Sequence, residues 1–206
     1  MNTIIVEGGK DMGNRIYPIG IQNFEKIRKE GYVYVDKTAL MYKLVKSGSY
    51  FFLSRPRRFG KSLLISTLEA YFEAKRDLFE GLAVETLEKD WVKRPVLHLD
   101  LNIGKYDTPD SLDKILNETL DYWESLYGTR SAETTLALRF AGVVGRAYEQ
   151  SGERVAILID EYDKPLLQAI GNEELQREFR NTLKPFYGVL KTMDGCIKFA
   201  LLTGVT

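Results

Sequence analysis

A chain of 206 residues is long enough for one α/β domain of good size and leaves little for a second. Its 29 Lys and Arg balance 29 Asp and Glu, so the zero formal charge removes a global electrostatic case for nucleic acid and leaves only local patches. Cys196 is the sole cysteine, no apolar run nears the ~18 residues of a membrane span, and Met1–Lys10 does not read as a signal peptide, so a reducing cytoplasm is expected.

Residues 1–15 are glycine-rich and of mixed polarity and read as a flexible lead-in, with a single domain expected over 16–206. Pro18-Ile-Gly-Ile-Gln-Asn-Phe-Glu-Lys-Ile-Arg predicts a turn and a short helix. Tyr32-Val-Tyr-Val has the pattern of a short strand. Asp36 then suits an N-cap for a helix carrying Leu40, Leu44 and Val45, which Gly48 ends.

Tyr50 to Leu53 is an aromatic and aliphatic run suited to a buried strand, and from Ser62 a helical pattern places Leu64, Leu68, Tyr71 and Phe72 on one face. Between them lies Ser54-Arg-Pro-Arg-Arg-Phe-Gly-Lys-Ser. Strand, tight basic loop, Gly60-Lys61-Ser62, then helix is the context of a phosphate-binding loop. Successive backbone N–H groups and the positive end of the helix make an anion site there. Lys61 adds a mobile charge for β- and γ-phosphates, the Ser62 hydroxyl suits Mg²⁺, and Gly60 lets the backbone approach phosphate. The usual spacing asks for glycine at position 55, where this chain has Arg55, followed by the stiffening Pro56. Taken alone, the segment also reads as a solvated basic turn. If a nucleotide does bind, Asp36-Lys37-Thr38 offers contact with its base or ribose as the alternative to capping.

After a polar connection through Phe79 and Trp91, Pro95-Val-Leu-His-Leu-Asp-Leu-Asn predicts a second buried strand. His98, the single histidine, has no Cys or second His nearby and reads as a satisfied core residue rather than a metal ligand. Asp100 either lines a site or serves a turn through Asn102 and Gly104. Thr108 and Pro109 open a helix with Leu112, Ile115, Leu116, Leu120 and Trp123 inward, stopped by Gly128. Ser131 is the expected cap of the next, which turns Leu136, Phe140, Val143, Val144 and Ala147 inward and stops at Gly152.

Val155-Ala-Ile-Leu-Ile-Asp-Glu-Tyr-Asp predicts a strand buried on both faces that delivers two carboxylates at its end. That is the Walker B pattern, in which Asp160 holds Mg²⁺ through water and Glu161 polarises the attacking water; a core strand entering an acidic turn is the plainer reading. Asp163 suits an N-cap better than a second metal ligand. A helix with Leu175, Phe179, Leu183 and Phe186 follows, then the apolar strand Cys196-Ile-Lys-Phe-Ala-Leu-Leu-Thr. The alternation implies a mainly parallel sheet with helices on both faces. A strand-helix unit between the two motifs, and Glu161 directly after Asp160, point to the P-loop branch with a catalytic glutamate and an additional strand. In that branch the strand after Walker B lies between it and the loop strand and ends in a polar sensor residue, a post Thr203 fits.

Pro18-Ile-Gly-Ile-Gln-Asn-Phe, Tyr34-Val-Asp-Lys-Thr, Ser54-Arg-Pro-Arg-Arg-Phe-Gly-Lys-Ser, Ile159-Asp-Glu-Tyr-Asp-Lys-Pro and Leu202-Thr-Gly-Val-Thr together resemble the bacterial AAA-ATPase-like family, in matching order from about residue 16 onward. Arg-Pro-Arg-Arg in place of the first loop glycine is a habit of that family. The resemblance implies an AAA-like, ASCE-type P-loop fold that binds ATP and Mg²⁺. It assigns phosphates to Arg57, Arg58, Phe59, Gly60, Lys61, Ser62 and Leu63, metal to Ser62 and Asp160, water activation to Glu161 and sensing to Thr203. Arg57 or Arg58 supplies transition-state charge in cis, or else contacts solvent or a partner. Family members are usually longer, with a C-terminal part like a PD-(D/E)XK nuclease, so a sheet truncated after the sensor strand and an exposed edge prone to self-association are expected. Nucleic acid enters as a partner only by analogy with that part. Two functions follow: a Mg-dependent ATPase slow in isolation, or a nucleotide-gated switch or scaffold with little hydrolysis.

Overall fold

The computed structural model describes residues 16–205; the lead-in expected over 1–15 lies outside the described residues. Four strands, β1 (Tyr50–Ser54), β2 (Val96–Asp100), β3 (Val155–Asp160) and β4 (Ile197–Gly204), form one sheet in the order β1-β4-β3-β2. Every pairing is parallel. Parallel neighbours need crossovers, and helices supply them: α3 (Lys61–Phe72) leaves β1, α5 (Asp110–Tyr127) and α6 (Leu136–Ser151) link β2 to β3, and α7 (Lys164–Gln168) and α8 (Glu173–Thr192) link β3 to β4. As the sequence pattern implies, β4 lies between β3 and the loop strand β1.

The alternation of the central strands divides the interior into two cores, giving a helix–sheet–helix sandwich. Leu97, Leu99, Val155, Ile157, Ile159, Ile197 and Ala200 face Leu112, Leu116, Leu120, Phe140, Val143, Phe179 and Phe186 of α5, α6 and α8. Ala156, Leu158, Phe199 and Leu201 face the other way, onto Ile65, Leu68 and Phe72 of α3. The same core takes in Phe24 of α1 (Phe24–Lys29), Met41 and Val45 of α2 (Thr38–Ser47), and Val84 of α4 (Ala83–Leu87). β3 is buried at every position because it has a strand on each side and helices on both faces.

Several local expectations are corrected. β1 is not fully buried: with a strand on one side only, it leaves Tyr50 44% and Phe52 52% exposed. Tyr32–Val35 forms no strand. Among the described residues no strand lies beside it, and the extended segment is held by Val33 N–H donating to the Ile16 carbonyl (3.1 Å). In α2 the inward residues are Thr38, Met41 and Val45, while Leu40 is exposed.

The caps also differ. α6 is capped by Thr135, which accepts from Leu138 N–H (3.3 Å), and not by Ser131. Thr108 supports the start of α5 through its carbonyl, which accepts from Ser111 N–H (3.1 Å), rather than through its hydroxyl. Asp163 takes the N-cap position of α7 as expected, its carbonyl accepting from Leu167 N–H (3.0 Å), but its side chain makes no cap bond there; Oδ2 accepts from Val205 N–H (2.9 Å). Asp36 does serve helix starts, and two of them. Its Oδ1 accepts from Thr38 N–H (2.8 Å) and its Oδ2 from Ala83 N–H (2.7 Å). That engagement uses the carboxylate structurally, against the base or ribose alternative.

Candidate functional site

The loop from Arg55 to Gly60 rises from the tip of β1 and turns into α3 through two left-handed residues, Arg58 (φ 68°) and Gly60 (φ 78°). At Gly60 the conformation carries no steric penalty, whereas Arg58 pays one of roughly 1 kcal/mol for it. The turn points the first N–H groups of the 12-residue α3 out of the loop, where they carry the positive end of the helix.

Lys61 is only 4% exposed. Its ammonium folds back under the loop, donating to the Arg55 carbonyl (2.9 Å) and lying 3.1 Å from Glu161 Oε1. A buried cation needs such oxygens, since desolvating it without partners is costly. Glu161 follows the tip of β3 with φ 54°, a conformation that costs a non-glycine residue about 1–3 kcal/mol unless its surroundings impose it.

Those surroundings are the tip of β4. Glu161 N–H donates to Thr203 Oγ1 (3.2 Å), and Tyr162 N–H donates to the Thr203 carbonyl (2.8 Å). The Thr203 hydroxyl in turn donates to Asp160 Oδ1. At Gly204 a Cβ would meet Tyr162 Cε1 at 2.6 Å, so only glycine lets the turn after β3 lie so close. Asp160, Glu161 and Thr203 are thereby locked to one another across adjacent strand tips.

Above them opens a cavity of about 800 Å³. Its lining includes Arg57, Arg58, Gly60, Lys61, Ser62 and Leu63 from the loop and α3, together with Glu161. Thr203 and Asp160 are buried beneath rather than part of that lining, and Phe59 points away, 68% exposed. Four cations, Arg57, Arg58, Lys61 and Lys164, face a single carboxylate, that of Glu161. The balance favours an anionic ligand.

Ile19, Gly20, Ile21 and Gln22 also line the cavity, as do Asn102, Lys164 and Gln168, none of which the motif spacing singles out. Two of the five resembling segments, Pro18–Phe24 and Ile159–Pro165, hold several of these residues, and that was their one sequence signal. Asp100, the other open assignment, is engaged in the turn, accepting from Asn102 N–H (2.7 Å).

No cluster of three or more metal-ligating side chains occurs among the described residues. The oxygen donors here are the Ser62 hydroxyl and the Glu161 carboxylate in the lining and, buried below it, Asp160, whose Oδ1 accepts from Thr203. Such a set could complete the shell of a cation that keeps its waters and takes phosphate oxygens, as Mg²⁺ does.

A four-strand parallel sheet flanked by helices, with a strand–loop–helix carrying a tucked lysine beside a strand tip bearing two carboxylates, is an α/β domain consistent with a P-loop-like fold. The chain belongs to the AAA-ATPase-like family, described as a predicted AAA-ATPase, whose profile matches residues 18–206. A curated relative from Azotobacter chroococcum mcd 1, an uncharacterized protein in the vnfD 5' region, is 40% identical over 197 residues. The match covers 95% of this chain and 38% of that protein, so the chain spans well under half of its relative. No solved structure matches.

Proposed function

We propose that the cavity binds ATP with Mg²⁺ and that the domain hydrolyses it, slowly in isolation. The observation that carries this reading is the 3.1 Å approach of Lys61 Nζ to Glu161 Oε1 at the mouth of the α3 N-terminus. It brings together the cation that a terminal phosphate requires and the carboxylate that would activate water. In this reading the backbone from Arg57 to Leu63 cradles the phosphates, with Lys61 on the β- and γ-groups. Ser62 and Asp160 would hold Mg²⁺, which supplies neutralisation of phosphate charge. Thr203 keeps Asp160 and the Glu161 backbone in register, and so acts as a positioning residue.

Calorimetric titration of ATP with Mg²⁺ into the wild type and Lys61→Ala tests the binding. A loss of about a hundredfold or more in affinity is expected, in line with removal of a buried charge-assisted contact. Equal affinity in the two proteins overturns the assignment. Glu161→Gln is expected to bind ATP and to lose turnover; equal rates with the wild type would remove Glu161 from the chemistry.

A second reading is favoured by the same contact. With Glu161 held on Lys61, a nucleotide that takes the lysine frees the glutamate side chain, and the domain then works as a nucleotide-gated switch whose output is the released Glu161 carboxylate. ATP retained without turnover through purification distinguishes this reading from the first.

A further inference from the structure

Lys164 stands at the start of α7, three residues after Glu161, and lines the same cavity as Lys61 and Ser62. Its ammonium donates to the Asn102 backbone carbonyl and lies 3.1 Å from Asn102 Oδ1. Both partners are neutral. Among the described residues no carboxylate comes within ion-pair distance of it, whereas Lys61 in the same cavity has Glu161. Arg57 and Arg58 are exposed to water and need no counter-ion, but Lys164 is half-buried. An ammonium lining the cavity in water-exposed contacts, tethered only by amide oxygens, is open to the stronger charge-assisted contact that an anion in the cavity would offer.

The sheet order says which part of a nucleotide reaches it. The phosphate loop sits on β1, Glu161 on β3, and Asn102 in the 3-10 turn after β2, in the spatial order β1-β4-β3-β2. Lys164 is therefore anchored on the far side of Glu161 from the loop. A ligand whose phosphates start in the loop and run toward the carboxylate meets Lys164 with its last phosphate.

We propose that Lys164 contacts the terminal phosphate of a nucleoside triphosphate and makes the site discriminate triphosphate from diphosphate. The inference rests on the nucleotide-binding reading above. Before binding, Asn102 holds the ammonium in place with neutral oxygens. On binding, a phosphate oxygen replaces one of them, a charge-assisted contact in place of a neutral one.

The test is the dissociation constants of ATP and ADP for the wild type, Lys164→Gln and Lys164→Arg, with thermal unfolding run in parallel to confirm folding. Lys164→Gln is expected to weaken ATP about tenfold, as loss of one such contact implies, and to leave ADP within about twofold. Lys164→Arg, which keeps the charge, is expected to recover most of the ATP affinity. Equal loss of ATP and ADP, or no loss of either, overturns the proposal; should Lys164→Gln fail to fold, Lys164→Ala takes its place, and an ATP-to-ADP ratio unchanged in that variant overturns it too. A folded wild type that binds neither nucleotide defeats the nucleotide reading itself. A wild type that binds both with no selective loss in Lys164→Gln defeats only this inference.

Discussion

The imidazole of His98, on the outer strand β2, is pulled in two directions. Burial disfavours its charged form, yet Glu69 Oε2 lies 3.4 Å from Nδ1, with Asp100 and Asp160 adding negative potential. The carboxylates prevail, and the pKa stands above its ordinary 6.5. A group whose folded pKa is raised stabilises the fold fully below its unfolded value, and that contribution fades as pH rises through the folded pKa. An NMR titration of this single histidine is expected to give a value above 6.5 in the wild type and a lower one in Glu69→Gln. An unchanged value would remove Glu69 as the cause.

Residue chemistry was only partly legible in the sequence. Lys61, Ser62, Asp160 and Glu161 stand out because their types and spacing are tied to strand ends, and the structure brings Lys61 and Glu161 into contact. The left-handed backbones of Arg58 and Glu161 leave no trace, since neither side chain favours that region and the strand tips impose it. His98, expected to be satisfied, pairs through Nδ1 with Glu69 of α3 but has a buried Nε2 with no hydrogen-bond partner among the described residues.

At the scale of elements, Glu88 shows how three helices are pinned by one carboxylate. It follows α4, is 6% exposed, accepts from the Tyr71 hydroxyl of α3, and pairs with Lys46 of α2 at 3.0 Å. Backbone N–H groups of Lys89 (2.9 Å) and Asp90 (3.1 Å) donate to its other oxygen. Burial alone would raise its pKa, but these donors outweigh it and bring the value down to about 2. A depressed carboxylate stabilises the fold above its unfolded pKa and ceases to do so as pH falls through the folded one. Glu88→Gln is expected to cost about 2 kcal/mol at pH 7 by urea denaturation. The gap should narrow as pH falls from 4.5 toward 2, and a gap independent of pH would contradict the assignment.

Helix faces and stops were readable from periodicity and from glycine, as Gly128 and Gly152, both at positive φ, illustrate. Helix starts were less so. Ser131 and Thr135 are both chemically able to cap α6, and only the path of the chain into the helix selects Thr135. Tyr32–Val35 has strand-forming residues, but a strand exists only beside another, and that neighbour is a tertiary fact.

At the scale of the whole molecule, the sheet order followed from the position of two motifs and the strand between them. The resemblance implied an open edge at the loop strand; what the residue pattern of β1 did not show is how open its side chains are, since Phe52 contacts Tyr162 edge-on (5.0 Å between centroids) and is still 52% exposed. Among the described residues no strand pairs with the outer edge of β1, and Tyr50 and Phe52 are exposed along it, so we predict pairing between copies at this edge. Sedimentation at rising concentration is expected to show mass above the monomer, and Phe52→Lys to suppress it. A wild type of constant monomeric mass would refute the edge as a contact surface.

The tip of β4 also reaches in both directions. Arg55 N–H donates to the Gly204 carbonyl (3.2 Å), while Tyr162 N–H takes the Thr203 carbonyl and Val205 N–H takes Asp163. The lysine-bearing loop and the carboxylate-bearing turn are therefore bolted to one post. Because both hang on one post, we predict that their spacing, and not a closing jaw, sets the length of any ligand the cavity takes.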